Sequence, residues 1–253
     1  MLRRLAPALL VLAIALAACG SQAPALTDPK EIISQGLLAT GEATSLHLDV
    51  ALSGTVNIPQ TGGTIDLGGI TASGDFDVAN KRSRLTFSVP TFMSLSGEAI
   101  LIGSDSYLKT SLTGAQYVKS TADHTSLPLD PTEAFDQVES FLEKEGVLSE
   151  KLDDVTCGDR SCYRVRLTIP SSLLLESAGT PAGIDAGAFL GESLVLDLQF
   201  DRENLRVRQV STDVDAGEVG SFGIVLTFSN YDATVEVSPP PDDQVTDDAG
   251  LPF

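Results

Sequence analysis

"DPKEIISQGLLATGEATSLHLDVALSG", Asp28 to Gly54, changes its hydrophobic period halfway along, and that change announces the fold. Asp28, Pro29 and Glu31 supply an N-cap acceptor, a proline at the first helical position and a glutamate at the third. Ile33, Leu37 and Leu38 then recur at helical spacing as far as Gly41. From Ser45 the period drops to two. Leu46, Leu48, Val50 and Leu52 alternate with His47, Asp49, Ala51 and Ser53, which predicts a strand with one buried face.

Downstream, the same alternation returns again and again. Asn57 to Gly69 is glycine-rich and reads as a long hairpin connection. Strand-like runs follow at Ile70–Val78, Ser83–Val89, Met93–Ile102, Ser106–Thr110 and Gln116–Ser120, with Lys81-Arg82 as a hairpin turn. Asp130-Pro131-Thr132-Glu133 repeats the helix start, and Phe135, Val138, Phe141 and Leu142 fall on one face beyond it. A hairpin at Leu152–Ile169, a short apolar helix at Ser171–Ser177 and strands at Glu192–Phe200, Leu205–Val214 and Phe222–Phe228 complete the pattern. About ten strands joined by short turns and about three helices predict an α+β fold with an antiparallel sheet. A large sheet curls, so the expectation is a curved antiparallel half-barrel with the helices on its concave face. Residues 238–253 have too little apolar content to pack and are expected to form a disordered acidic tail.

Upstream, Arg3 and Arg4 precede an apolar run, Leu5 to Leu16, that is too short for a bilayer span of about 20 residues. It reads as a signal peptide, residues 1–18. The run ends in Leu16-Ala17-Ala18-Cys19 followed by Gly20-Ser21. This resembles the lipobox of bacterial lipoproteins, in which the cysteine is lipidated and becomes the new N-terminus. An ordinary signal peptide with an incidental cysteine is the alternative. Residues 19–27 would then be a lipidated N-terminus and linker, and residues 28–237 the folded domain.

Removing the leader takes away two arginines and shifts the net charge from −19 to −21. Such acidity argues against nucleic acid and against adhesion to anionic headgroups. With Cys19 assigned to lipid, Cys157 and Cys162 remain as an even pair around the turn-like Gly158-Asp159-Arg160-Ser161. In an exported chain this reads as a disulfide stapling a hairpin. A metal site would want further Cys or His nearby.

Three further stretches carry a resemblance: "SGDFDV" at Ser73–Val78, "SYLKTSLTGAQYVK" at Ser106–Lys119, and "FSNYDATVEVSPP" from Phe228. With the lipobox and the Asp28–Gly54 run, the chain resembles the LppX/LprG family of bacterial lipoproteins, and more distantly the LolA/LolB-type carriers. The resemblance implies an apolar cavity between sheet and helices that holds acyl chains of lipids or glycolipids, moved across the cell envelope. It implies no catalytic motif and no cofactor. The Cys157–Cys162 pair and the acidic tail depart from the family pattern.

The residues themselves add little chemistry. There is no Gly-x-Ser-x-Gly elbow, no P-loop and no His-Glu-x-x-His motif. His47 and His124 read as satisfied or solvated, and Asp213, Asp215 and Glu218 as an acidic turn without calcium-loop spacing. Arg206 and Arg208 alternate with Leu205 and Val207 as the wet face of a strand. The expected function is lipid binding and carriage by a non-enzymatic lipoprotein, with no metal. Phe135, Val138, Leu142, Ile33, Leu37, Leu173 and Leu174 are the expected cavity wall, although the same stripe would also serve as ordinary core. The expected setting is the cell envelope. The chain would be a monomer anchored through Cys19 to the outer face of the cytoplasmic membrane, or to an outer membrane if the host has one. An envelope transport partner is a further expectation, and a sensor or interaction module binding a protein in the same groove is the alternative.

Overall fold

The computed structural model describes residues 25–58, 62–91, 94–120, 135, 138–178 and 191–246. Helix α1 (Pro29–Gly41) begins where the sequence places it. The Asp28 carboxylate accepts from the N–H groups of Lys30 at 2.8 Å and Glu31 at 3.3 Å, satisfying donors that the first turn leaves free. A second helix, α2 (Ser171–Ala178), follows the longest hairpin strand. Between them, residues 135 and 138–141 are helical; the Asp130-Pro131 start proposed for that helix lies outside the described residues.

Among the described residues, fourteen strands form one sheet. They are β1 (Ser45–Ile58), β2 (Gly63–Asp66), β3 (Thr71–Asp77), β4 (Arg82–Val89), β5 (Leu95–Ile102), β6 (Asp105–Thr110) and β7 (Tyr117–Ser120), then β8 (Leu148–Lys151), β9 (Val155–Cys157), β10 (Arg160–Pro170), β11 (Ser193–Asp201), β12 (Val207–Asp215), β13 (Gly220–Ser229) and β14 (Val245–Thr246). The order runs β14-β7-β6-β5-β4-β3-β1-β13-β12-β11-β10-β8, with β2 beside β1 and β9 beside β10. The path does not close, and the curved sheet is a half-barrel with helices packed on its concave side.

Register sorts the side chains. Tyr163, Val165, Leu167 and Ile169 of β10 stand opposite Phe200, Leu198, Leu196 and Leu194 of β11. Leu46 opposes Phe76, and Leu48 opposes both Phe228 and Gly74. Because strand side chains alternate between faces, these residues share the inner face, where most of them join the residues of the helices in one apolar cluster. A second, smaller cluster lies on the outer face: Ile100, Tyr107 and Tyr117 pack with Val235, Val237 and Val245.

That outer cluster corrects two expectations. The sheet is not antiparallel throughout, since β14 pairs with β7 in parallel, Val245 opposite Tyr117. Nor are residues 238–246 loose: Pro240 is buried, and residues 242–246 form a single 3₁₀ turn followed by β14. Val245 finds an apolar surface prepared by Tyr107 and Tyr117, which a local hydropathy reading of the tail does not see. Residues 247–253 lie outside the described residues.

Candidate functional site

The inner face is a groove whose burial changes from one end of the strands to the other. At one end it is closed. Leu46, Phe76, Phe200, Val207 and Phe228 are at most 5% exposed. Helix α1 crosses this end, and Gly36 lets it sit so close that an added Cβ would come within 2.2 Å of the Phe200 ring. The Thr40 hydroxyl donates to the Gly36 carbonyl at 2.7 Å and accepts from the Val207 N–H at 2.9 Å, bolting helix to sheet. Tyr231 donates its hydroxyl to the Val207 carbonyl, and burial pushes its pKa far above the ordinary phenol value.

Towards the other end the inner face opens on β1, β13, β3 and β4, whereas Leu167 and Ile169 of β10 and Val214 of β12 stay buried. Leu48, Val50 and Leu52 follow fully buried Leu46 along β1, all only half-buried. Along β13, half-buried Leu226, Ile224 and Phe222 follow buried Phe228. Ala72 and Phe87 continue this half-buried surface across β3 and β4, and Leu108 on β6 is 39% exposed. The Thr212 hydroxyl, opposite Ile224, is the one buried side-chain oxygen among the described residues without a hydrogen-bond partner. A recess of about 380 Å³ at this end is lined by Val214 and Phe222 and bordered by Ser53, Asp213, Asp215 and Gly223, so carboxylates stand at its rim.

All seven expected wall residues enter the inner cluster. Ile33, Leu37, Phe135 and Leu142 are buried, with Val138, Leu173 and Leu174 packed against them. The Phe135 ring lies 5.6 Å from that of Phe228, tying the second helical segment to β13. The sheet-side wall was not named from the sequence, although the alternation in β1 and β13 points to it: Leu48, Leu226, Val210 and Leu85 complete the lining. Cys157 and Cys162 are disulfide-bonded with Cα atoms 5.9 Å apart, closing the β9–β10 hairpin, and Gly158 takes a φ of +69° in its turn. Cys19 and His124 lie outside the described residues. Arg206, read as wet strand face, pairs with Asp232 and covers the Tyr231 ring at 5.1 Å.

On the outer face, His47 sits between carboxylates and a hydroxyl. Its Nδ1 is 2.6 Å from Asp75 Oδ1, and its Nε2 is 3.3 Å from Ser73 Oγ and 3.4 Å from Asp49 Oδ1. Burial lowers the His47 pKa, but the Asp75 hydrogen bond and the charges of both aspartates outweigh it and raise the value. The raised pKa makes the imidazole a stronger base, not a weaker one, so its role turns on the hydroxyl it faces. Ser73 lies mid-strand between β1 and β4, where the ladder engages its neighbours' backbone groups. The cluster works as a cross-strand electrostatic tie.

No family model matches the sequence, and no curated protein matches it. Solved structures do match. The lipoprotein LppX of Mycobacterium tuberculosis is 17% identical with a TM-score of 0.55, the match covering 83% of this chain and 97% of LppX. LprF of Mycobacterium bovis is 16% identical with the same TM-score of 0.55, over 87% of this chain and 99% of LprF. At that identity the likeness concerns architecture alone: the chain has the half-barrel fold of LppX and LprF.

Proposed function

We propose that the groove binds the acyl chains of lipids or glycolipids and that the chain carries them within the cell envelope, anchored through a lipidated Cys19. The observation that supports this most is the burial gradient. Aliphatic and aromatic side chains line the inner face, yet those of β1, β3, β4 and β13 towards the open end are left half-buried where a packed core would cover them, as it covers Leu167 and Ile169 of β10. An acyl chain laid there would remove this surface from water, at about 0.8 kcal/mol per buried methylene. The unpartnered Thr212 hydroxyl offers a hydrogen bond to an ester or hydroxyl of the cargo. Recognition of this kind needs area rather than reactive groups, so the function is carriage and not catalysis.

Native mass spectrometry of the mature protein extracted from its host membrane tests the reading. A co-purifying mass released as lipid is the expected result. A stoichiometric polypeptide in its place would favour the interaction-module alternative, and an empty chain that binds no fluorescent acyl probe would reject both.

A further inference from the structure

The two ends of the groove differ in a second respect: the chain enters at only one of them. The Leu26 N–H donates to the Tyr163 hydroxyl at 3.1 Å, and Leu26 packs on the inner cluster. Tyr163 stands opposite Phe200, which lies under α1, so Leu26 sits at the closed end. Exposed Glu42, where α1 ends beside the start of β1, marks the same end. At the opposite end, β1 runs on through Gly54 to Ile58 and pairs with β2, whose four residues are all exposed, Ile65 at 39%. From Ala51 to Ala72 the sequence holds a single ionisable residue, Asp66, in a chain that is 20% charged, although Asp213 and Asp215 of β12 and Glu218 of the turn beyond it border this hairpin.

Lengths decide what a Cys19 anchor permits. Seven residue steps separate Cys19 from Leu26, a span of at most about 25 Å. Leu46 to Ile58 covers twelve steps of β1, about 40 Å along the strand and about 30 Å in height at ordinary barrel tilt. To press the open end squarely onto the anchoring bilayer, Leu26 would have to stand farther from it than the linker reaches.

We propose that on the lipid-anchored chain the closed end faces the anchoring bilayer and the open end faces away, so that acyl chains are exchanged with a second lipid surface. This rests on the groove being the acyl site and on Cys19 being the anchor, and it adds direction to both.

The test uses the full mature chain anchored through its N-terminus on vesicles that carry nitroxide-headgroup quenchers. A fluorophore is placed at Glu42→Cys in one preparation and at Ile65→Cys in another. The expected result is quenching of the Glu42 probe several-fold stronger than that of the Ile65 probe; equal or stronger quenching at Ile65 would overturn the orientation. The same anchored protein is then offered a fluorescent phospholipid either in its own vesicles or in a second population. Uptake from the second population should be at least tenfold faster, and about 20 Gly/Ser residues inserted after Pro24 should raise uptake from its own vesicles. Equal uptake from both without the insertion would overturn exchange through the outward end. Failure to take up lipid from either population, with the quenching pattern intact, would refute the lipid-binding reading and leave the orientation standing.

Discussion

The two ends of the groove are built from the same strands, the same residue types and the same alternation, yet one is a packed core and the other is not. Leu46 and Phe228 are at most 2% exposed, whereas Leu52 and Ile224, further along the same two strands, are half-buried. The difference comes from what lies opposite. Helix α1 is bolted over the closed end by Gly36, Thr40 and Tyr231, whereas the rows around Leu52 and Ile224 are only partly covered. A sheet face is therefore apolar by pattern, but it becomes core only where a second layer is fixed to it.

This contrast can be broken most severely at its closed end. Phe200→Ala would empty the space under Gly36, and chemical denaturation should show a loss of about 3–5 kcal/mol. A loss below about 1 kcal/mol would mean that the closed end is looser than its burial suggests. Next in size is the staple beside Tyr163. Replacing Cys157 and Cys162 by serine frees a short loop, and the melting curve should fall by the equivalent of about 2 kcal/mol with the fold retained. Two free thiols in the unreduced, natively exported protein would contradict the pairing.

At the open end the balance should reverse. Ile224→Ser removes half-buried surface, so stability should drop by no more than about 1 kcal/mol. Acyl-probe affinity should weaken by about tenfold, the equivalent of 1.4 kcal/mol, if the side chain contacts cargo. A destabilised variant with unchanged probe affinity would turn these rows into ordinary core. The smallest effect belongs to His47, whose raised pKa stabilises the folded state fully below its ordinary value of 6.5 and ceases to do so as pH rises through the folded value. His47→Gln should cost at most about 1 kcal/mol at pH 5.5 and nothing at pH 9. An equal cost at both pH values would show that packing, not charge, is what His47 contributes.

The elements that speak locally were legible in the sequence. The Asp28-Pro29 start of α1 and the alternation of β1 appear in the structure within a residue of their expected places. The turn-flanked cysteines likewise meet. What escaped was held by distant partners. β2 lies in a glycine-rich connection and is recruited by pairing with Thr55 to Ile58, while β8 takes its register from Val165 to Thr168. β14 exists because β7 offers it a ladder. The candidate site was half legible: alternation tells which face an apolar residue occupies, not how deeply the second layer covers it. The helical wall residues could be named for their stripe, whereas the gradient from Leu46 to Leu52 has no signature in their identities.

The parallel docking of β14 has a consequence for the behaviour of many copies together. An unclosed sheet ends in two rows of unpaired N–H and C=O groups, each a template on which a neighbouring molecule could add a strand. Here the last strand on one side is only two residues long and follows exposed Asp242 and Asp243; on the other side, four-residue β8 carries Glu150 and Lys151. Short, charged borders make poor templates. Cutting the chain after Ser238 would strip that border from β7, bare its backbone and remove Val245 from the tyrosine cluster. The shortened protein should assemble edge to edge at concentrations where the full chain stays dispersed.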